Sequence, residues 1–125
     1  MPQIIVEYDL ERLDDEQLAR IGHNLSHLCS QLFSVNKWQI RPDDFSLKFD
    51  KVEWPNRTTH NVIVRMLLHD FEERRKHAQE HAEQIRNEVL TVLASYGAPS
   101  ITSVGVSLGY LPIEWSERVI YPGEL

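Results

Sequence analysis

The chain opens MPQIIVEY, residues 1–8, and the fold turns on how this stretch is read. Ile4, Ile5 and Val6 make a short β-branched run, which is a strand signal. Pro2 stands directly ahead of that run. Proline has no backbone N–H to give to a sheet, so it belongs at the first residue of a strand or on an edge. The same position also carries a chemical reading. A second residue as small as proline lets the initiator methionine be removed, and Pro2 then ends the chain as a free secondary amine. An α-amino group titrates nearer neutrality than lysine does, so a modest perturbation makes it a base at physiological pH. Pro2 is thus either a strand opener alone or a strand opener and a general base.

The 125 residues suit one domain with one core. Apolar residues make up 42% and charged residues 26%, which is ordinary for a globular chain. No apolar run approaches the ~20 residues a membrane helix needs, and no basic-then-apolar leader is visible. The single cysteine, Cys29, excludes an intrachain disulfide and fits a reducing compartment. The expected location is therefore cytoplasmic, with no membrane partner. A net charge of −6 argues against nucleic acid as a partner, because that binding needs basic patches to neutralise phosphates. It leaves room for a small anion held by a few local cations.

Beyond the first strand, Asp14 with Gln17 three residues later resembles a capping box. Leu18, Ile21, Leu25, Leu28 and Leu32 recur at helical spacing, which predicts a helix over 14–34. Ala19, Gly22 and Cys29 beside that stripe are small enough to let the helix approach a sheet. Pro42 stops any helix. Phe45, Leu47 and Phe49 alternate with polar residues as a half-buried strand. The apolar phase then slips to Val52 and Trp54, as a β-bulge would make it do. PNRTTH, residues 55–60, reads as a turn. NVIVRMLLH, residues 61–69, is apolar at nearly every position and predicts a central strand. A second helix is expected over 71–96, with Ala78, Ala82, Ile85, Val89, Leu93 and Tyr96 on one face. Gly97 is placed as its left-handed stop, with Pro99 beyond. A fourth strand is expected within 100–111. The tail, 112–125, carries Trp115, Val119, Ile120 and Tyr121, which predicts that it lies on something.

The order is β-α-β followed by β-α-β, in halves of about 1–54 and 61–111. It predicts a two-layer α+β domain, with both helices on one face of a four-stranded sheet. The strands are apolar on both faces in places, so the open face should be covered by further copies of the chain.

Pro2 opening strand one, joined to a duplicated β-α-β of this length, resembles the tautomerase superfamily. PQIIVEY and the later VSLGYLP are most similar to its 5-carboxymethyl-2-hydroxymuconate isomerase branch. That resemblance implies a cofactor-independent isomerase that moves a proton in an unsaturated 2-oxo or 2-hydroxy acid. Pro2 would be the base and then the acid. It further implies a small carboxylate substrate, no metal or organic cofactor, and a homotrimer with sites near subunit boundaries. The candidate carboxylate-binding cations are Arg12, Arg41 and Lys48. Lys48 falls where the family carries an arginine, and an ammonium grips a carboxylate as a point charge rather than as a two-bond fork. Arg74 and Arg75, in ERRK, lie near where some members use arginines, but their plainer reading is a helix surface.

Rival readings are a dehalogenase or hydratase on the same fold, with Glu114 activating water, and a non-enzymatic ferredoxin-like oligomeric binding module. HAQEH, residues 77–81, matches a zinc-peptidase pattern with Glu80 as base, yet reads more plainly as a solvated helix face. His23 and His27, four apart on the first helix, also read as ordinary flanking residues. Trp38, Trp54 and Trp115 are assigned to packing or subunit contact, and Cys29 to a buried thiol.

Overall fold

A computed structural model of the chain describes residues 2–9, 13–35, 39–53, 56–96 and 103–111. The β-branched opening run forms strand β1, Gln3–Tyr8, with Ile4, Val6 and Tyr8 buried on one side. Helix α1 follows at Asp15–Phe33, and the expected capping box is present. The Asp14 carboxylate accepts from the Gln17 backbone N–H at 2.9 Å, and the Gln17 side chain accepts from Asp14 N–H at 2.9 Å. A short 3-10 turn, Pro42–Asp44, leads into β2, Ser46–Lys51. β3 spans Val62–His69, helix α2 Glu72–Lys76, helix α3 Ala78–Ser95, and β4 Val104–Leu111.

The sheet order is β2-β1-β3-β4. β1 pairs parallel with β2 and antiparallel with β3, and β3 pairs parallel with β4. β3 is therefore one of the two central strands, as its run, apolar at nearly every position but Arg65, predicts. Both main helices lie on one face, so the α+β duplicated architecture expected from the sequence is the one observed. The core between the layers joins Ile4, Val6, Val64, Met66 and Leu68 of the sheet to Ile21, Leu25, Cys29 and Phe33 of α1 and Ile85, Val89 and Leu93 of α3.

Three details differ from the sequence reading. First, the buried line of α1 runs through Ile21, Leu25, Cys29 and Phe33, with Gly22 beside it, while Leu18, Leu28 and Leu32 are only partly buried. The helix is turned so that Gly22 and Cys29 are buried against the sheet, while Ala19, expected beside them, is exposed. A Cβ on Gly22 would stand 2.6 Å from a Leu47 methyl and 3.1 Å from the Phe49 ring. Second, β2 needs no bulge: the strand ends at Lys51, and the change of phase at Val52 marks that end. Third, the second helix is divided at His77, whose backbone at φ −114°, ψ 21° interrupts the helical run. Its first turn is anchored separately, through Arg74, to α1 and β3. Trp38, Trp54, Gly97, Pro99 and the tail lie outside the described residues.

The open face of the sheet is mixed. Ile5, Ile63 and Leu67 alternate there with Lys48, Glu7 and Arg65. Arg65 Nε donates to the Glu7 carboxylate at 2.8 Å, and Lys48 Nζ lies 3.5 Å from Asp50.

Candidate active site at the head of strand one

Strand directions collect the chemistry at one end of the sheet. β1 and β2 begin there, and β3 and β4 finish there. Helix α1 runs back from the far end, so its last residue, Phe33, returns to the same place, and α2 starts beside it. Pro2 is half-buried at this end, and its carbonyl accepts from Ser46 N–H at 2.9 Å. As the residue ahead of β1, its missing N–H costs the ladder nothing.

The sequence reading left Arg74 as a surface residue, but the structure buries it. It is 3% exposed and is the buried charged residue among those described. Its Nε donates to the Phe33 carbonyl at 2.9 Å and its Nη1 to the His69 carbonyl at 3.0 Å. The guanidinium carbon lies 4.7 Å from the centre of the Phe71 ring, a cation–π distance. The Tyr110 hydroxyl donates to the Arg74 backbone carbonyl at 3.4 Å. One guanidinium thus ties the end of α1 to the end of β3, and its own backbone receives β4. The signal in the sequence was an arginine at the first turn after a buried strand, but nothing in the pattern showed which way it points.

These neighbours perturb one another. Burial lowers the His69 imidazole below its ordinary value, and the positive charges of the amino terminus and of Arg74 push it the same way. Burial raises the Tyr110 hydroxyl, with Asp70 adding to the rise and Arg74 and Arg75 opposing it. Burial lowers Arg74 itself, though a guanidinium starts so high that it stays charged at neutral pH. Arg75 is paired with Asp70. This end of the sheet is partly dry, and a dry surrounding weakens the basicity of an amine held there.

The predicted cations fall differently. Arg41 precedes the 3-10 turn at the Pro2 end. Its side chain is 83% exposed, and its contact with Asp44 is long at 4.0 Å. Lys48 is two residues into β2 on the open face, in the row of Ile5 and Arg65, and is 67% exposed. A single chain therefore places Arg41, but not Lys48, beside the head of β1. Arg12 lies outside the described residues; Asp9 and Leu13, which flank its loop, belong to the opposite end of the sheet. Glu114 also lies outside the described residues. For HAQEH, His77 Nδ1 lies 3.5 Å from Glu80, while His81 turns inward against the Phe33 ring. Among the described residues no group of three or more His, Cys, Asp or Glu is arranged to hold a metal ion, and no helix is long and apolar enough to cross a membrane.

No family model matches the chain, and no curated protein matches it. Solved structures do. A member of the cis-3-chloroacrylic acid dehalogenase (cis-CaaD) family aligns over 98% of this chain and 86% of its own, with TM-score 0.69 and 16% identity. A fused 4-OT, solved as an asymmetric trimer, aligns over 88% and 86%, with TM-score 0.64 and 13% identity. Malonate semialdehyde decarboxylase aligns over 91% and 88%, with TM-score 0.60 and 12% identity. At these identities the likeness is one of fold. The chain has the tautomerase-like fold of these neighbours, which include a cis-CaaD family member and malonate semialdehyde decarboxylase.

Proposed function

We propose that the chain is a cofactor-independent isomerase, similar to 5-carboxymethyl-2-hydroxymuconate isomerase, that moves a proton in an unsaturated 2-oxo or 2-hydroxy acid. With Met1 removed, the Pro2 nitrogen is the general base. It takes a proton from the enol hydroxyl or from the carbon next to the carbonyl, and returns it at the other position. The observation that carries this reading is the place of Pro2, half-buried at the sheet end where the buried Arg74 guanidinium and His69 meet.

The physical case has three parts. A base works best when its pKa lies near the working pH. An α-amino group begins near that range, and a partly dry surrounding moves it further down. The substrate carboxylate and the enolate charge that develops need a cation. Arg41, exposed just ahead of the turn that leads into β2 beside Pro2, is one candidate, and a guanidinium offers the bidentate grip that suits a carboxylate. Lys48 and Arg12 would enter from neighbouring copies in a homotrimer, since one chain does not bring Lys48 or the flanks of Arg12 to Pro2. The malonate semialdehyde decarboxylase neighbour was studied with its first-position proline replaced by alanine, which fits a proline-centred chemistry on this fold.

The test is the conversion of an aryl enolpyruvate to its keto form by the wild type and by Pro2→Ala. Acceleration by the wild type that the variant loses supports the reading. Equal acceleration by both proteins removes Pro2 from the mechanism.

A further inference from the structure

We propose that His23 and His27 form a binding site for a divalent transition-metal ion on the outer side of α1. The two residues are one helical turn apart, so their side chains stand on one face. That face is roughly opposite the one carrying Ile21 and Leu25, and both histidines are exposed. Their ring centroids are 4.2 Å apart with planes inclined at 38°. His27 Nδ1 lies 2.9 Å from the backbone carbonyl of His23. A carbonyl only accepts, so Nδ1 carries the proton, and the neutral ring keeps its lone pair on Nε2. Metal-binding histidines are oriented in this way, one nitrogen tied to a carbonyl and the other free for the ion. The tie holds the His27 ring in place, so little side-chain freedom is left for an ion to remove.

The second pair of histidines shows what this site has and that one lacks. His77 and His81 are also four apart, but their ring centroids are 6.0 Å apart. His77 Nδ1 faces the Glu80 carboxylate, and His81 packs edge-on to Phe33 at 5.0 Å with its Nδ1 buried. Those rings are not both free to meet one ion. At His23 and His27 the protein supplies two nitrogens, and water completes the shell. Imidazole pairs of this kind suit copper, nickel and zinc, with copper held most tightly. The net charge of −6 favours cation approach. The site does not involve Pro2 and stands whether or not the chain is an isomerase.

The test is calorimetric titration of copper, and separately of nickel and zinc, into the full chain free of any histidine tag, in a non-coordinating buffer at pH 7.5. Histidine ring resonances followed by NMR at sub-stoichiometric copper locate the ion. The expected result is broadening of the His23 and His27 rings first, and copper affinity lowered about tenfold or more by either His23→Gln or His27→Gln. His77→Gln should leave that affinity unchanged, and nickel and zinc should bind more weakly than copper. The site chosen is wrong if both α1 variants bind copper as the wild type does, or if only His77→Gln weakens binding. Both rings are exposed, so the glutamine variants keep the fold, and an unchanged circular dichroism spectrum verifies it.

Discussion

At the scale of the residue, Pro2 carries the proposed chemistry, Arg74 and His69 lie at the same end of the sheet, and His81 packs against Phe33. Pro2→Ala should lower turnover by about 10²–10⁴-fold, the usual contribution of a positioned base. Arg74 should matter first for stability. Arg74→Met removes the two charge-assisted hydrogen bonds to the Phe33 and His69 carbonyls. The expected loss is about 3 kcal/mol, read from the urea midpoint. Arg74→Lys should recover part of it, because an ammonium keeps the charge but not the fork. The imidazoles of His69 and His81 give the pH dependence. Burial is the main cause in both, and both sit below the ordinary 6.5. Just below that value the unfolded chain binds more protons than the folded one. Stability is therefore full above pH 6.5 and declines as pH falls through it toward the lower folded values. Denaturant unfolding at a series of pH values should show this decline, and His81→Leu should make it shallower. Cys29 is inaccessible, and burial pushes its thiol up to about 12. Iodoacetamide at pH 8 should leave it unmodified in the native protein and alkylate it fully in denaturant.

At the scale of the element, the parts with short-range rules were legible in the sequence. The Asp14–Gln17 box is a local pattern, and the structure makes both of its bonds. Asp14→Ala should lower stability by about 1 kcal/mol, seen as a lower Tm. The central place of β3 was also legible, because a strand covered by neighbours on both edges tolerates apolar residues throughout. What failed needed long-range information. The rotation of α1 toward Gly22 and Cys29 depends on how Leu47 and Phe49 meet it from β2. The break at His77 follows a turn tied by Arg74 to Phe33, which is 41 residues away in the chain. No proline or glycine marks that break. The candidate site was half legible for the same reason. Pro2 announced itself by position, whereas Arg74, His69 and Tyr110 came together only once strand directions were known. The facing of His23 and His27 likewise rests on rotamers that spacing alone does not give.

At the scale of the whole molecule, β2 and β4 are the edge strands of the sheet, and among the described residues no helix covers its second face. Half-buried Ile5, Ile63 and Leu67 share that face with the Arg65–Glu7 and Lys48–Asp50 pairs. Such a mixture suits contact with further copies of the chain, where apolar rows pack and charged pairs set the register. Sedimentation equilibrium should give a mass three times that of the 14.6 kDa chain. Arg65→Glu, which places like charges on the diagonal it shares with Glu7, should shift the protein toward monomer and lower activity if neighbouring copies complete the site. The central claim concerns the assembled protein and one nitrogen within it. The most direct measurement labels proline with ¹⁵N and follows the Pro2 nitrogen by NMR across pH, beside the pH dependence of kcat/KM for ketonisation. Proline catalysis predicts a titrating amine with a pKa at or below the ordinary α-amino range of about 7.7–8.0, and a rate that rises with pH through the same value. A Pro2 nitrogen that does not titrate because Met1 is retained, or a rate profile that Pro2→Ala leaves unchanged, would contradict it.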